Sequence, residues 1–275
     1  MYLDHFGLTE LPFSITPDTS FTVLTRAHQE ALNTLLVALG TGEGFIKITG
    51  EVGTGKTLLC RRLLQSLPDN CISAYLPNPY LSPRTLMLAL AEELDIPANP
   101  EIDDYHLLQS VNRALLTHAA EDRQVVVCID EAQAMPLETL ESLRLLSNLE
   151  TEKRKLLQIV LFGQPELDRK LAEPSVRQLL QRIAFHYQLS GLSRDEVAKY
   201  LSHRLRVAGH RGEEIFAPGA VRGLHRASRG TPRLLNILAH KALLAVYGEG
   251  QRSVKPAHVR RAAADTEGAS SPGWW

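Results

Sequence analysis

Gly50-Glu51-Val52-Gly53-Thr54-Gly55-Lys56-Thr57 is the stretch whose residue types and spacing speak most directly of chemistry. It fits the pattern of a glycine, four variable residues, Gly-Lys and a hydroxyl residue. Glycines let the backbone curl round a phosphate without a Cβ in the way, and successive N–H groups then converge on the anion. Lys56 can reach the β- and γ-phosphates, and the Thr57 hydroxyl can ligate Mg2+. The apolar run Phe45 to Thr49 before it reads as a strand, and Leu58 to Leu64 after it as a helix. The helix N-terminus adds positive potential at the same point.

A second set of polar residues follows buried strands. Gln124 to Ile129 is a continuous apolar run that ends in Asp130-Glu131. A carboxylate at such a strand end lies across from the phosphate loop, where Asp130 can hold Mg2+ together with Thr57. Glu131 can orient and deprotonate a water. The run from Leu156 to Phe162 ends at Gly163-Gln164-Pro165. Gln164 emerges at the carboxyl edge of the sheet, where it either positions that water and reads the γ-phosphate or caps the helix opened by Pro165. Arg177 and Arg182 are expected on the helix just before the last strand. They are surface residues unless copies of the chain assemble, when one can reach a neighbour's site. In Gly230-Thr231-Pro232-Arg233, Thr231 is placed to cap a helix and Pro232 to fill its first turn. Arg233 then projects from the helix N-terminus, where the dipole disfavours a cation without an anionic partner.

These residues need a scaffold. Strands are expected at 45–49, 71–76, 124–129, 156–162 and 183–189. Helices are expected at 25–40, 58–64, from Ser82-Pro83, 103–120 and 137–150. Alternation of this kind predicts an α/β fold with a parallel sheet and right-handed crossovers. After Ser190 only helices are expected, at 193–208, 217–227, 231–247 and 256–264. The expected organisation is an irregular N-terminal arm over 1–23, an α/β core over 24–189, a helical lid over 190–265 and a disordered tail over 266–275. Trp274 and Trp275 close the tail, as an interaction tag or as nothing.

The bulk numbers narrow the class. The chain has 275 residues, is 44% hydrophobic and 22% charged, and has a formal net charge of -1. That is globular composition, and the near-zero charge argues against a protein built on nonspecific nucleic-acid binding. Cys60, Cys71 and Cys128 sit in apolar runs, so buried, reduced thiols are expected. No apolar stretch approaches the roughly 20 residues of a membrane helix, and the start of the chain lacks a signal-peptide pattern. A cytoplasmic protein is the expectation.

Taken together, the loop, Asp130-Glu131, Gln164, the arginines before the fifth strand and Gly230-Thr231-Pro232-Arg233 resemble an AAA+ ATPase over residues 20 to 265. Phe6-Gly7-Leu8 to Pro12-Phe13, with Asp130-Glu131-Ala132-Gln133 and Phe162-Gly163-Gln164-Pro165-Glu166-Leu167, resembles the ExeA (general secretion pathway protein A) family. Within it the likeness is to the short form tied to mannose-sensitive haemagglutinin (MSHA) type IV pili. Longer members carry a membrane helix and a peptidoglycan-binding domain after the ATPase; the short form, without them, is the expectation here. The resemblance implies a P-loop fold of the AAA+ type with a five-stranded parallel sheet and a helical lid. It implies Lys56 and Thr57 as Walker A, Asp130 and Glu131 as Walker B, Gln164 as sensor 1 in place of the commoner Asn, and Arg233 as sensor 2. Arg182 resembles the finger residue, with Arg177 the second choice. ATP and Mg2+ are the implied cofactors, with Gly50, Glu51, Val52, Gly53, Thr54, Gly55, Lys56, Thr57, Leu58, Pro232 and Arg233 round the nucleotide.

The leading expectation is an ATPase that assembles with copies of itself and serves a pilus or secretion machine, peripheral to the inner membrane through partners. A second is an ATP-dependent, DNA-binding regulator of transposition of the TniB or MuB type. Its sequence support is the basic residues of the lid, among them Arg204, Arg206, Arg211, Arg222, Arg226, Arg229, Lys255, Arg260 and Arg261. They are intermixed with acids, as on a solvated surface. A third is a nucleotide switch with little turnover, against which Glu131 speaks.

Overall fold

The computed structural model describes residues 2–14, 21, 25–97, 101–150 and 155–270. Pro17, Trp274 and Trp275 lie outside them. In chain order the elements are α1 (Tyr2–Phe6), α2 (Arg26–Gly40), β1 (Phe45–Gly50), α3 (Lys56–Ser66), β2 (Cys71–Leu76), α4 (Pro83–Glu93), α5 (Asp104–Ala120) and β3 (Gln124–Ile129). A 3-10 turn over Ala132–Ala134 leads to α6 (Leu137–Leu146), β4 (Gln158–Gly163), α7 (Glu166–Leu171), α8 (Arg177–Leu180) and β5 (Ile183–Leu189). Then come α9 (Arg194–Val207), α10 (Pro218–Ser228), α11 (Pro232–Gly248) and α12 (Pro256–Ala264).

The chain divides into two compact units, one of residues 28–50 and 55–189, the other of 1–27, 51–54 and 190–275. The first is built on a parallel sheet in the order β2-β3-β4-β1-β5. Side chains alternate across a strand, so each strand supplies both faces of the sheet. Phe45, Val127, Ile129, Ile159 and Leu161 meet Leu86 of α4, Leu107 of α5 and Leu140 of α6 on one face. Ile46, Ile48, Cys128, Val160 and Phe162 meet Leu35 of α2 and Leu59 and Leu63 of α3 on the other. Burial on both faces is why these strands read as continuous apolar runs. The parallel order leaves the carboxyl ends of β1, β3 and β4 side by side. Lys47, buried in β1, is neutralised by an ion pair with Asp168 of α7. Cys60 and Cys128 are buried free thiols, whereas Cys71 is half-buried.

The second unit is helical. Leu201, Leu205, Leu224, Leu238 and Leu243 form its core, and Tyr2, Phe6, Leu8, Phe13 and Phe21 are buried among them. The start of the chain is thus not irregular throughout, because α1 forms where Tyr2 and Phe6 share one buried helical face. Thr9 donates its backbone N–H and its hydroxyl to Ala208 O, at 2.8 and 3.0 Å. Arg204 donates to Pro12 O at 2.5 Å and its guanidinium lies 4.8 Å from the centre of the Phe21 ring.

Two further expectations change. The helix expected to reach Glu150 ends at Leu146, because the Ser147 hydroxyl takes the Arg144 carbonyl at 2.6 Å in competition with the backbone. Thr266 to Ser270, expected in a disordered tail, are ordered. Thr266 Oγ1 donates to Ala262 O at 2.6 Å and Ser270 N to Ala227 O at 2.9 Å.

Candidate nucleotide site

The phosphate loop begins at the end of β1 and ends in α3. Gly53 and Gly55 adopt φ 79° and 95°, the left-handed region in which a side chain is strained. A Cβ on Gly55 would also stand 2.6 Å from Nε2 of His28, a buried residue in the first turn of α2. Lys56 is buried and donates from Nζ to Gly50 O at 2.9 Å, so its ammonium is held back across the loop.

Asp130 is buried just beyond β3. Its Oδ2 accepts from the Thr57 hydroxyl at 2.6 Å, and its Oδ1 from the backbone N–H of Glu131 at 2.9 Å. The hydroxyl and the carboxylate expected to share a cation therefore touch. Tyr75 of β2 lies near Asp130; burial, then that negative charge, push its phenol up to about 12.

Glu131 turns the chain with φ 53° into the 3-10 turn. Its Oε2 accepts from Gln164 Nε2 at 3.0 Å and from Gln133 Nε2 at 2.5 Å. Gln133 Oε1 accepts the backbone N–H of Gln164 at 3.0 Å. Burial raises the Glu131 carboxyl, but the two amides and the charge of Lys56 outweigh it, and the group is held below its ordinary value. Of the two roles open to Gln164, the structure shows the bond to Glu131; Pro165, not Gln164, stands at the N-cap of α7. Lys170 of α7 donates to Gln133 O and Met135 O, both at 2.6 Å, and so pins the turn that carries Glu131.

The remaining expected residues lie elsewhere. Arg182 is not on a helix but just beyond α8. Its guanidinium donates to the Ser147 hydroxyl at 2.6 Å and to Asn148 Oδ1 at 2.5 Å. Arg177, at the start of α8, is exposed and bonds to no described side chain. Glu51 to Thr54 group with the helical unit, where Arg233 N donates to Gly53 O at 3.4 Å. Arg233 is exposed and Pro232 half-buried in the first turn of α11. Thr231 is the N-cap by position, but its hydroxyl makes no capping bond, contrary to expectation. Leu58 and Val52 are half-buried and exposed. Sequence reasoning passed over His28, Gln133 and Lys170 as site residues. Gln133 alone had a local signal, its place two residues after Glu131.

Comparison with known proteins agrees with this geometry. A family model described as an AAA domain matches residues 39–171. The fold is that of Cdc6p from Pyrobaculum aerophilum, with TM-score 0.65 and 18% identity over 91% of this chain and 71% of that one. Drosophila ORC bound to DNA aligns with TM-score 0.63 and 19% identity over 92% of this chain and 64% of that one. The Thermotoga maritima RuvB branch-migration motor gives TM-score 0.55 and 17% identity over 86% and 68%. The chain is therefore a P-loop protein of the AAA+ class, with a five-stranded parallel sheet and a C-terminal helical part. All 275 residues align at 42% identity with general secretion pathway protein A of Aeromonas hydrophila. The chain is similar to that protein along its whole length, and spans 50% of the length of this relative.

Proposed function

We propose that the chain is a Mg2+-dependent ATPase that assembles with copies of itself and serves a secretion or type IV pilus machine of the MSHA kind. The observation that carries the reading is the contact of Thr57 with a buried Asp130, one residue before a doubly hydrogen-bonded Glu131. A buried carboxylate touching a loop hydroxyl is a hard-oxygen pair suited to Mg2+. Bound there by Thr57 and Asp130, directly or through water, Mg2+ would supply charge neutralisation on the β- and γ-phosphates. The N–H groups of Gly53 to Thr57 and the Lys56 ammonium would hold the phosphates, Lys56 exchanging Gly50 O for phosphate oxygen. Glu131 takes the proton of the attacking water as the bond from the γ-phosphorus to the bridging oxygen breaks. Gln164 fixes the Glu131 carboxylate and lines up the water. Leu58, Pro232 and Arg233 are assigned to the nucleotide from the resemblance alone, Arg233 as the residue that would report nucleotide state to the lid.

An arginine from a neighbouring copy would complete the charge clamp. Arg182 is tied to Ser147 and Asn148 within its own chain. The exposed Arg177 is the better finger, which reverses the order expected from resemblance. Secretion and pilus work rest on kinship with general secretion pathway protein A; no described helix is long and apolar enough to cross a membrane. A cytoplasmic protein, held at the inner membrane by partners, fits both.

The test is phosphate release from ATP with Mg2+. Glu131→Gln is expected to lower kcat about 10^2- to 10^4-fold while leaving ATP bound. Lys56→Ala is expected to abolish binding. Equal phosphate release by wild type and Glu131→Gln would remove Glu131 as the base.

A further inference from the structure

We propose that Gln133 is a positioning residue for ATP hydrolysis, holding Glu131 by one carboxylate oxygen so that the other is left for the water. The proposal deepens the ATPase reading and rests on it. Its basis is where the hydrogen bonds land. Both amides, from Gln133 at 2.5 Å and from Gln164 at 3.0 Å, reach Oε2 of Glu131. Oε1 receives no hydrogen bond from a described residue. A carboxylate offers about four lone-pair sites over two oxygens. Filling Oε2 with two donors fixes the plane of the group and leaves Oε1 as the atom free to take a proton.

Gln133 does this as part of a closed circuit. Its Oε1 holds the Gln164 backbone N–H at 3.0 Å, and the Gln164 side chain returns to Glu131. Its own carbonyl is held by Lys170 at 2.6 Å. One amide therefore ties the end of β3 to the end of β4, and the 3-10 turn that carries it is anchored from α7. Glu131 leaves β3 with φ 53°, so the backbone alone does not hold its side chain in a strand-like direction. The pair of amides supplies that orientation. An amide suits the task because it donates through nitrogen and accepts through oxygen at once.

The test compares Gln133→Met, which keeps the shape and loses both hydrogen bonds, with Gln133→Glu, which keeps the acceptor and sets a second carboxylate against Glu131. Both are made in the full chain, in wild type and on a Glu131→Gln background. Single-turnover phosphate release and the Kd for a fluorescent ATP analogue are measured with Mg2+. Both variants are expected to lower the hydrolysis rate about 10- to 100-fold, the usual effect of removing an orienting partner, with Kd unchanged within about twofold. On the Glu131→Gln background neither variant should slow the rate further, because the residues act as a unit. A rate within twofold of wild type overturns the proposal. So does an equal loss in both backgrounds, or a matching loss of nucleotide affinity, since either marks a general structural role. If Glu131→Gln alone matches wild type, it is the assignment of Glu131 as base that fails, and the role of Gln133 falls with it.

Discussion

Gly55 has φ 95° and lies against His28, so the loop is constrained both by its own backbone and by a side chain from α2. Gly55→Ala must place a Cβ on a left-handed residue and displace the imidazole. Such strain costs about 1–3 kcal/mol, and nucleotide affinity is expected to fall about 10- to 100-fold. Titration with a fluorescent ATP analogue reads the loss; unchanged affinity would mean that the loop relaxes freely. The loop, Asp130, Glu131 and Gln164 were all legible in the sequence, since each is marked by a strand end or a glycine pattern. His28 was not. It sits 27 residues before Gly55, and only the packing of α2 against the loop brings the two together.

Helices and strands were legible where periodicity and caps agree. Ser193 and Glu196 form a reciprocal capping box at the start of α9, satisfying two helix N–H groups that would otherwise lack acceptors. Ser193→Ala is expected to cost about 1 kcal/mol, read as a lower denaturant midpoint in far-ultraviolet circular dichroism; no shift would show that packing alone holds α9. Thr231 is the counter-case. It occupies the capping position of α11, yet its methyl lies towards Gly53 and its hydroxyl caps nothing. The end of α6 was misplaced for a related reason. Ser147 and Asn148 are taken up by Arg144 and Arg182, contacts that a helical pattern of leucines does not register.

At the scale of the molecule, α1 is fastened to α11 by the Tyr2 hydroxyl, 3.0 Å from His240 Nδ1. Burial pushes the Tyr2 phenol up to about 12 and the His240 imidazole below its ordinary 6.5. A depressed histidine binds its proton more readily in the unfolded chain, so folding loses stability as pH falls from about 6.5 through the lower folded value. The unfolding midpoint is expected to drop between pH 7 and 5, and His240→Asn to flatten that slope. An unchanged slope would assign the effect to other groups, such as His186, which burial also lowers.

Assembly is tested by mixing two inactive variants. Glu131→Gln supplies Arg177 and Arg177→Ala supplies an intact base, so ATPase activity should reappear in the mixture if the finger comes from a neighbour. Continued inactivity would place the site within one copy. The DNA-binding alternative meets committed arginines: Arg204 is buried on Pro12 O, Arg229 bonds Ser270, and Arg261 pairs with Glu249. Duplex DNA is expected to give no ATP-dependent rise in fluorescence anisotropy; a salt-sensitive rise would revive that reading.

By itself the sequence determined the class of site. A phosphate loop needs glycines and a Lys-Thr pair in a row, and a buried parallel strand ending in Asp-Glu needs only local order, so both can be read along the chain. The tertiary structure decided what depends on distance between elements. It joined Thr57 to Asp130, placed Gln133 and Gln164 on the same oxygen of Glu131, and tied Arg182 to its own chain while leaving Arg177 exposed. The approach of Thr57 to Asp130 and of Gln164 to Glu131 follows from the strand order β2-β3-β4-β1-β5, which gathers the ends of β1, β3 and β4 and which no local pattern encodes.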